Sequence, residues 1–172
     1  MTSISRLYRI DAALCLRCNR SSRHRSVRLT FRLISRLGNG MFWYALMGAL
    51  LLADGVAAAP TITRMALAGM LGVLFYKWLK QHTLRPRPYQ VVPHVEAAAA
   101  PLDQFSFPSG HTLHAVSFSM IAAAHYPALA PLVFGFAALV AISRPVLGLH
   151  YPSDVLAGAA IGAALAEIIL YF

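Results

Sequence analysis

The chain has 172 residues, of which 58% are apolar and only 12% charged, and its mean hydropathy is +0.60. Ordinary soluble domains carry about 25% charged residues, so a water-soluble globule is excluded and one membrane-embedded domain is expected. The net charge of +9 is the one feature that does not fit a plain hydrophobic bundle, and it is unevenly spread.

Nine Arg residues precede residue 40: Arg6, Arg9, Arg17, Arg20, Arg23, Arg25, Arg28, Arg32 and Arg36, with Asp11 as the only acid. Such a balance first suggests nucleic acid. The spacing favours a different partner. Arg25, Arg28, Arg32 and Arg36 form one helical stripe, and Val27, Phe31 and Ile34 form another. A basic amphipathic helix of this kind suits the surface of an anionic bilayer, and no nucleic-acid partner is expected. Two such helices are predicted, broken near Asn19-Arg20-Ser21-Ser22 and ended by Gly38-Asn39-Gly40. Residues 1–40 are thus expected to be a basic membrane-surface segment ahead of a transmembrane domain, 41–172. Cys15 and Cys18 form a lone Cys-x-x-Cys. Zinc would need two further ligands, and only His24 is near, so they are read as small positions on a helix.

Five apolar segments follow, each near the ~20 residues that a bilayer requires: about 41–59, 61–80, 108–126, 128–143 and 150–172. They predict an all-α integral membrane bundle with about five transmembrane helices. Between the second and third lies a loop, about 81–107, with Pro86, Pro88, Pro93 and Pro101. Proline at that density rules out extended helix or strand, and a loop of that length is usually functional. Trp43, Tyr44, Tyr76 and Trp78 are expected in an aromatic belt at the lipid boundary. Gly158 and Gly162 give the last segment a small face for close packing inside the bundle.

The polar residues of the membrane part cluster at segment ends. Lys80 ends the second segment and Arg87 follows it. Ser109, Gly110 and His111 open the third, Arg144 ends the fourth, and His150 and Asp154 open the fifth. An up-and-down path puts all of these at one membrane face. Three cations gathered there, with no acid but Asp154 assigned to them, are costly unless an anion joins them. The amides of Ser109 and Gly110 at a helix start favour phosphate. His150 and Asp154, four apart, would share one helix face, so that the carboxylate orients the imidazole as a nucleophile. His111 would serve as general acid and then base. Glu96 and Asp103 are too scattered for a metal cage, so no metal and no cofactor are expected. Lys77 is read as snorkelling to the interface, and His114 as packing on a neighbouring helix.

Lys80-x6-Arg87-Pro88, Pro108-Ser109-Gly110-His111 and Ser143-Arg144-x5-His150-x3-Asp154 resemble the three signatures of the type 2 phosphatidic acid phosphatase family, which shares its site with the vanadium haloperoxidases. Arg85-Pro86 is set aside, because the residue seven before Arg85 is Trp78. The resemblance implies hydrolysis of a lipid phosphate through a phosphohistidine on His150. Lys80, Arg87, Ser109, Gly110 and Arg144 would hold the phosphate. The substrate could be a polyprenyl phosphate or diphosphate, phosphatidate, phosphatidylglycerophosphate or a phosphorylated isoprenoid sugar. A vanadate-dependent haloperoxidase and a non-catalytic lipid phosphate carrier are the alternatives. Many relatives resemble a six-helix bundle and bacterial ones commonly face the periplasm. Five spans and an Arg-rich start instead predict an inner-membrane protein with its site on the cytoplasmic face.

Overall fold

The structure is a computed structural model that describes residues 3–172, and the regular structure among them is helical throughout. Two basic helices come first, α1 (Ser3–Arg20) and α2 (Arg25–Arg36). The predicted break between them is real. The hydroxyls of Ser21 and Ser22 bond back to the carbonyls of Cys18 and Asn19 at 2.6 and 2.8 Å, offering the backbone an alternative to continued helix. The Gly38-Asn39-Gly40 stop is gentler than expected. The chain passes through a wide helical turn, Leu37–Met41, kinks at Gly40 (φ 128°), and re-enters helix as α3 (Phe42–Asp54). Gly55 then turns the chain into α4 (Ala59–Thr83), which carries Pro60 in its first turn, where a missing N–H costs nothing.

The long loop contains one short helix, α5 (Pro88–Val91). Three helices complete the bundle: α6 (Gly110–His125), α7 (Ala130–Val146) and α8 (Pro152–Tyr171). By length and hydropathy three stretches can cross a bilayer: Arg25–Val91, Pro127–Val146 and Pro152–Tyr171. The first is a bent run that holds both α3 and α4. The segment expected as the third span, α6, has 16 residues. At about 1.5 Å per residue it falls short of a ~30 Å hydrocarbon core.

Helix α6 is short because it is central. It packs on α4, α7 and α8, and its neighbours rather than lipid surround it. Gly158 and Gly162 make the α8 contact close: a Cβ at either would collide with the carbonyl oxygens of Ser109 or Leu113. One expectation fails here. Trp43 is 1% exposed and belongs to the core, edge-on to Phe118 and Phe136, because Phe42 stacks on Phe136 and draws α3 against α7. Tyr44 and Trp78 do face outward. Helices α1 and α2 close one end of the bundle. α2 lies along the last turns of α7, with Gly38 against Val140, and α1 crosses the ends of α7 and α8.

Candidate active site

Six of the eight residues expected to form the site line one cavity of about 600 Å³. Lys80 reaches it from the last turn of α4, Arg87 from the residue before α5, and Gly110 and His111 from the start of α6. Arg144 reaches it from the end of α7, and His150 from the turn leading to α8. The other two, Ser109 and Asp154, are wholly buried just behind its wall. The Ser109 hydroxyl lies 3.0 Å from that of Thr112 and caps α6, while its backbone N–H donates to the Asp154 carbonyl at 3.0 Å. Its side chain therefore shapes the helix start, and its own amide is not available to a ligand as the sequence suggested; Gly110 and His111, the first residues of α6, line the cavity.

The turn carrying His150 is held from below. The Arg144 carbonyl accepts from the N–H groups of Leu149 and His150 at 3.1 and 3.4 Å. Gly148 takes φ 72° there, with the Glu96 carbonyl where a Cβ would be. Pro152 starts α8 after the extended Tyr151, so His150 is not on the helix at all. It meets Asp154 differently from the shared-face expectation. Asp154 sits in the first turn, and its Oδ2 accepts from the Tyr151 N–H at 2.8 Å. That leaves Oδ2 3.7 Å from His150 Nδ1, beyond hydrogen-bond range, and Nδ1 has no other partner. Nε2 lies 3.3 Å from Arg87 Nη1. Arginine can only donate, so Nε2 carries the lone pair. Burial, then the positive charges of Arg144, Arg87 and Lys80, hold the His150 pKa well below the ordinary imidazole value. The ring is held neutral, with its lone pair on Nε2.

The cations have a partner that spacing did not reveal. Asp103, from the long loop, accepts from Lys80 Nζ at 2.7 and 2.9 Å and from Arg87 Nη2 at 2.8 Å. Lys80 also donates to the Phe105 carbonyl at 2.8 Å. Arg87 is further tied to the carbonyls of Asp103 and Leu149 at 3.1 and 2.7 Å. Burial pushes the Asp103 carboxyl up, but Lys80 and Arg87 outweigh it and keep the pKa below the usual value. Arg144 is 2% exposed; its Nη1 donates to Ser35 Oγ at 2.5 Å, and its Nε has no partner.

Five more residues, Asn39, Ser35, Arg85, Asp11 and Cys15, were not expected at the site from the sequence. His111 Nε2 contacts Asn39 Oδ1, from the wide turn ahead of α3. Ser35, four residues earlier, holds Arg144. Arg85, set aside on spacing, donates to Asp154 Oδ1 at 2.6 Å and to Asp11 Oδ2 at 2.7 Å. A lone acid among nine Arg residues was the available signal for Asp11. Cys15 is buried with its Sγ 3.7 Å from the His150 carbonyl. Burial first, then the Cys18, Asp11 and Asp154 charges, push its thiol up to about 12. His114 does border the cavity, and also bonds the Gly69 carbonyl at 3.2 Å and stacks on Phe118.

From the cations the cavity continues as an apolar groove between α3 and α4, past Tyr44, Met47, Leu74, Met70 and Ala66 to Met65. From Lys80 to Ala66 is about 20 Å along α4, at about 1.5 Å per residue. Tyr44, Leu74 and Met70 are more than half exposed, so the groove is open sideways.

Residues 61–172, more than half of the chain, match the PAP2 superfamily. Two solved structures share the fold. LpxE of Aquifex aeolicus is 29% identical, with a TM-score of 0.76 over 93% of this chain and 94% of that one. The transmembrane PAP2-type phosphatidylglycerolphosphate phosphatase of Bacillus subtilis is 24% identical, with a TM-score of 0.76 over 99% and 87%.

Proposed function

Because the chain belongs to the PAP2 superfamily of membrane phosphatases, we propose that it removes the phosphate of a lipid by way of a phosphohistidine on His150. His150 Nε2 attacks phosphorus and the bond from phosphorus to the leaving oxygen breaks. His111 gives that oxygen a proton. His111 then takes a proton from water, which attacks the phosphohistidine and releases inorganic phosphate with His150 restored. Lys80, Arg87, Arg144 and the Gly110 amide stabilise charge on the phosphoryl oxygens, while Ser109, whose own amide is taken by the Asp154 carbonyl, supports them as the cap of α6. The carboxylate of Asp154, 3.7 Å from His150 Nδ1, favours the proton on Nδ1 and so keeps Nε2 free for attack.

The observation that carries this reading is the union of two things in one cavity: a neutral, buried imidazole facing three cations, and an apolar groove leading away from them. The groove favours a substrate with a hydrocarbon tail over halide and peroxide, and intact His150, His111 and Asp154 favour chemistry over carriage. The candidates remain polyprenyl phosphate or diphosphate, phosphatidate, phosphatidylglycerophosphate and a phosphorylated isoprenoid sugar. Five crossings, with α6 sheltered inside the bundle, complete the reading. Residues 1–40 rest on an anionic bilayer surface and 41–172 form the phosphatase domain. The contacts of α1 with the His150 turn support a site on the same face as the basic N-terminus, the cytoplasmic face of the inner membrane.

Phosphate release from these lipids in detergent tests the activity. His150→Ala loses it, and Lys77→Ala, on the exposed side of α4, keeps it. A wild type that releases phosphate from none of them refutes the proposal. The exposed Gln90, replaced by cysteine, should resist impermeant maleimide in intact cells; labelling from outside reverses the assigned face.

A further inference from the structure

Resting on the phosphatase reading, we infer that Asp11 and Arg85 are positioning residues for the His150–Asp154 pair, which makes the N-terminal helix part of the catalytic apparatus. Asp154 is 0% exposed. A carboxylate so placed needs a compensating charge, and Arg85 supplies it with a 2.6 Å bond from Nη1 to Oδ1. That bond leaves Oδ2, the oxygen nearer His150, to the Tyr151 amide.

The guanidinium is itself fixed from several sides. It lies 4.1 Å above the Tyr151 ring, bonds Ser153 Oγ at 2.8 Å, and bonds Asp11 Oδ2 at 2.7 Å. Asp11 also accepts from the Ser153 N–H at 3.0 Å and from its hydroxyl. One cation thus divides its charge between two carboxylates. How strongly Arg85 holds Asp154 depends on Asp11, and how much negative charge His150 feels depends on Arg85. Helix α1 is pinned where this requires: Asn19 Nδ2 donates to the Val146 and Glu96 carbonyls, both at 3.0 Å.

The two residues predict shifts of opposite sign. Loss of activity at low pH follows protonation of His150. Without Arg85, Asp154 is uncompensated, the imidazolium is stabilised, and the acid limb of kcat/KM moves up in pH. Without the Asp11 charge, Arg85 turns wholly to Asp154, and the limb moves down. The other charged groups around His150 are Lys80 on α4, Arg87 before α5, Asp103 in the loop, His111 on α6 and Arg144 on α7. None of these changes in either variant. A residue that only holds the fold together would lower activity without moving the limb.

The test is the pH profile of purified full-length variants in detergent, on whichever of the lipids named above the wild type turns over fastest. Arg85→Gln should lose roughly 30-fold in kcat, with KM within about twofold and the limb raised by about 0.5–1 pH unit. Arg85→Lys should recover a large part of the rate. Asp11→Asn should lose about threefold and lower the limb. Limbs that stay in place, or that move in the same direction, overturn the inference while leaving the phosphatase reading intact. If Arg85→Gln does not fold, the sign of the Asp11→Asn shift decides alone. A wild type inert on every lipid would instead refute the underlying function.

Discussion

At the His150 end of the cavity the polar groups are tied down: Arg87 to Asp103, Leu149 and His150, Asp154 to Tyr151 and Arg85, and the whole turn to Arg144. At the other end His111 meets one side chain, Asn39, at a kink, and the walls beyond it mix methionines and small residues with Tyr44 and Leu74 and are open to the side. The polar end is held in one geometry. The open end allows many, because methionine repacks cheaply and an open groove demands no fixed shape. On the proposed function, this division predicts strictness about the group removed and tolerance of what carries it.

The largest effect should come from the rigid end. His150→Ala should reduce kcat by at least about a thousandfold, since no other group can take its place as nucleophile. The wild-type profile should also place the acid limb of kcat/KM below 6.5. The His150 pKa is depressed, so the ring stays neutral as pH falls through the ordinary imidazole range and activity is lost only lower down. A limb above 6.5 would contradict the charge environment described. Next, Asp103→Asn frees donors on Lys80 and Arg87 that a carboxylate now occupies. Inorganic phosphate should then inhibit roughly tenfold more tightly; weaker inhibition would make Asp103 an organiser of the cations and not their competitor. At the open end the effects should be small and selective. Ala66→Trp, far along the groove, should raise KM about fivefold for long-chain lipids and leave a short-chain analogue unchanged. An equal effect on both would place the tail elsewhere. Smallest of all, Asn39→Ala should cost about threefold in kcat, as loss of one neutral hydrogen bond.

That these polar residues meet was legible in the sequence because they sit at helix ends, and an up-and-down path brings alternate ends together. Lys80, Arg87, Gly110, His111, Arg144 and His150 share a cavity for that reason alone. The break between α1 and α2 was legible from side chains that compete with backbone locally. Asp103 was not. It lies 16 residues from Arg87 and 23 from Lys80 in an irregular loop, where no periodicity says which way a carboxylate turns. Arg85 was discarded by counting along the chain, yet its partner Asp11 is 74 residues away.

Composition, the length of the apolar runs and the order of polar clusters by themselves determined a helical membrane protein with its polar residues gathered at one end. These properties depend on local patterning and on the dimensions of a bilayer. The tertiary structure alone decided that α6 is buried and short, that Trp43 turns inward, and that His150 meets Asp154 across a helix cap. It also decided that a helix expected to rest on lipid reaches the His150–Asp154 pair. Those outcomes depend on which distant surfaces fit together, and close packing selects among faces that a sequence pattern treats as equal.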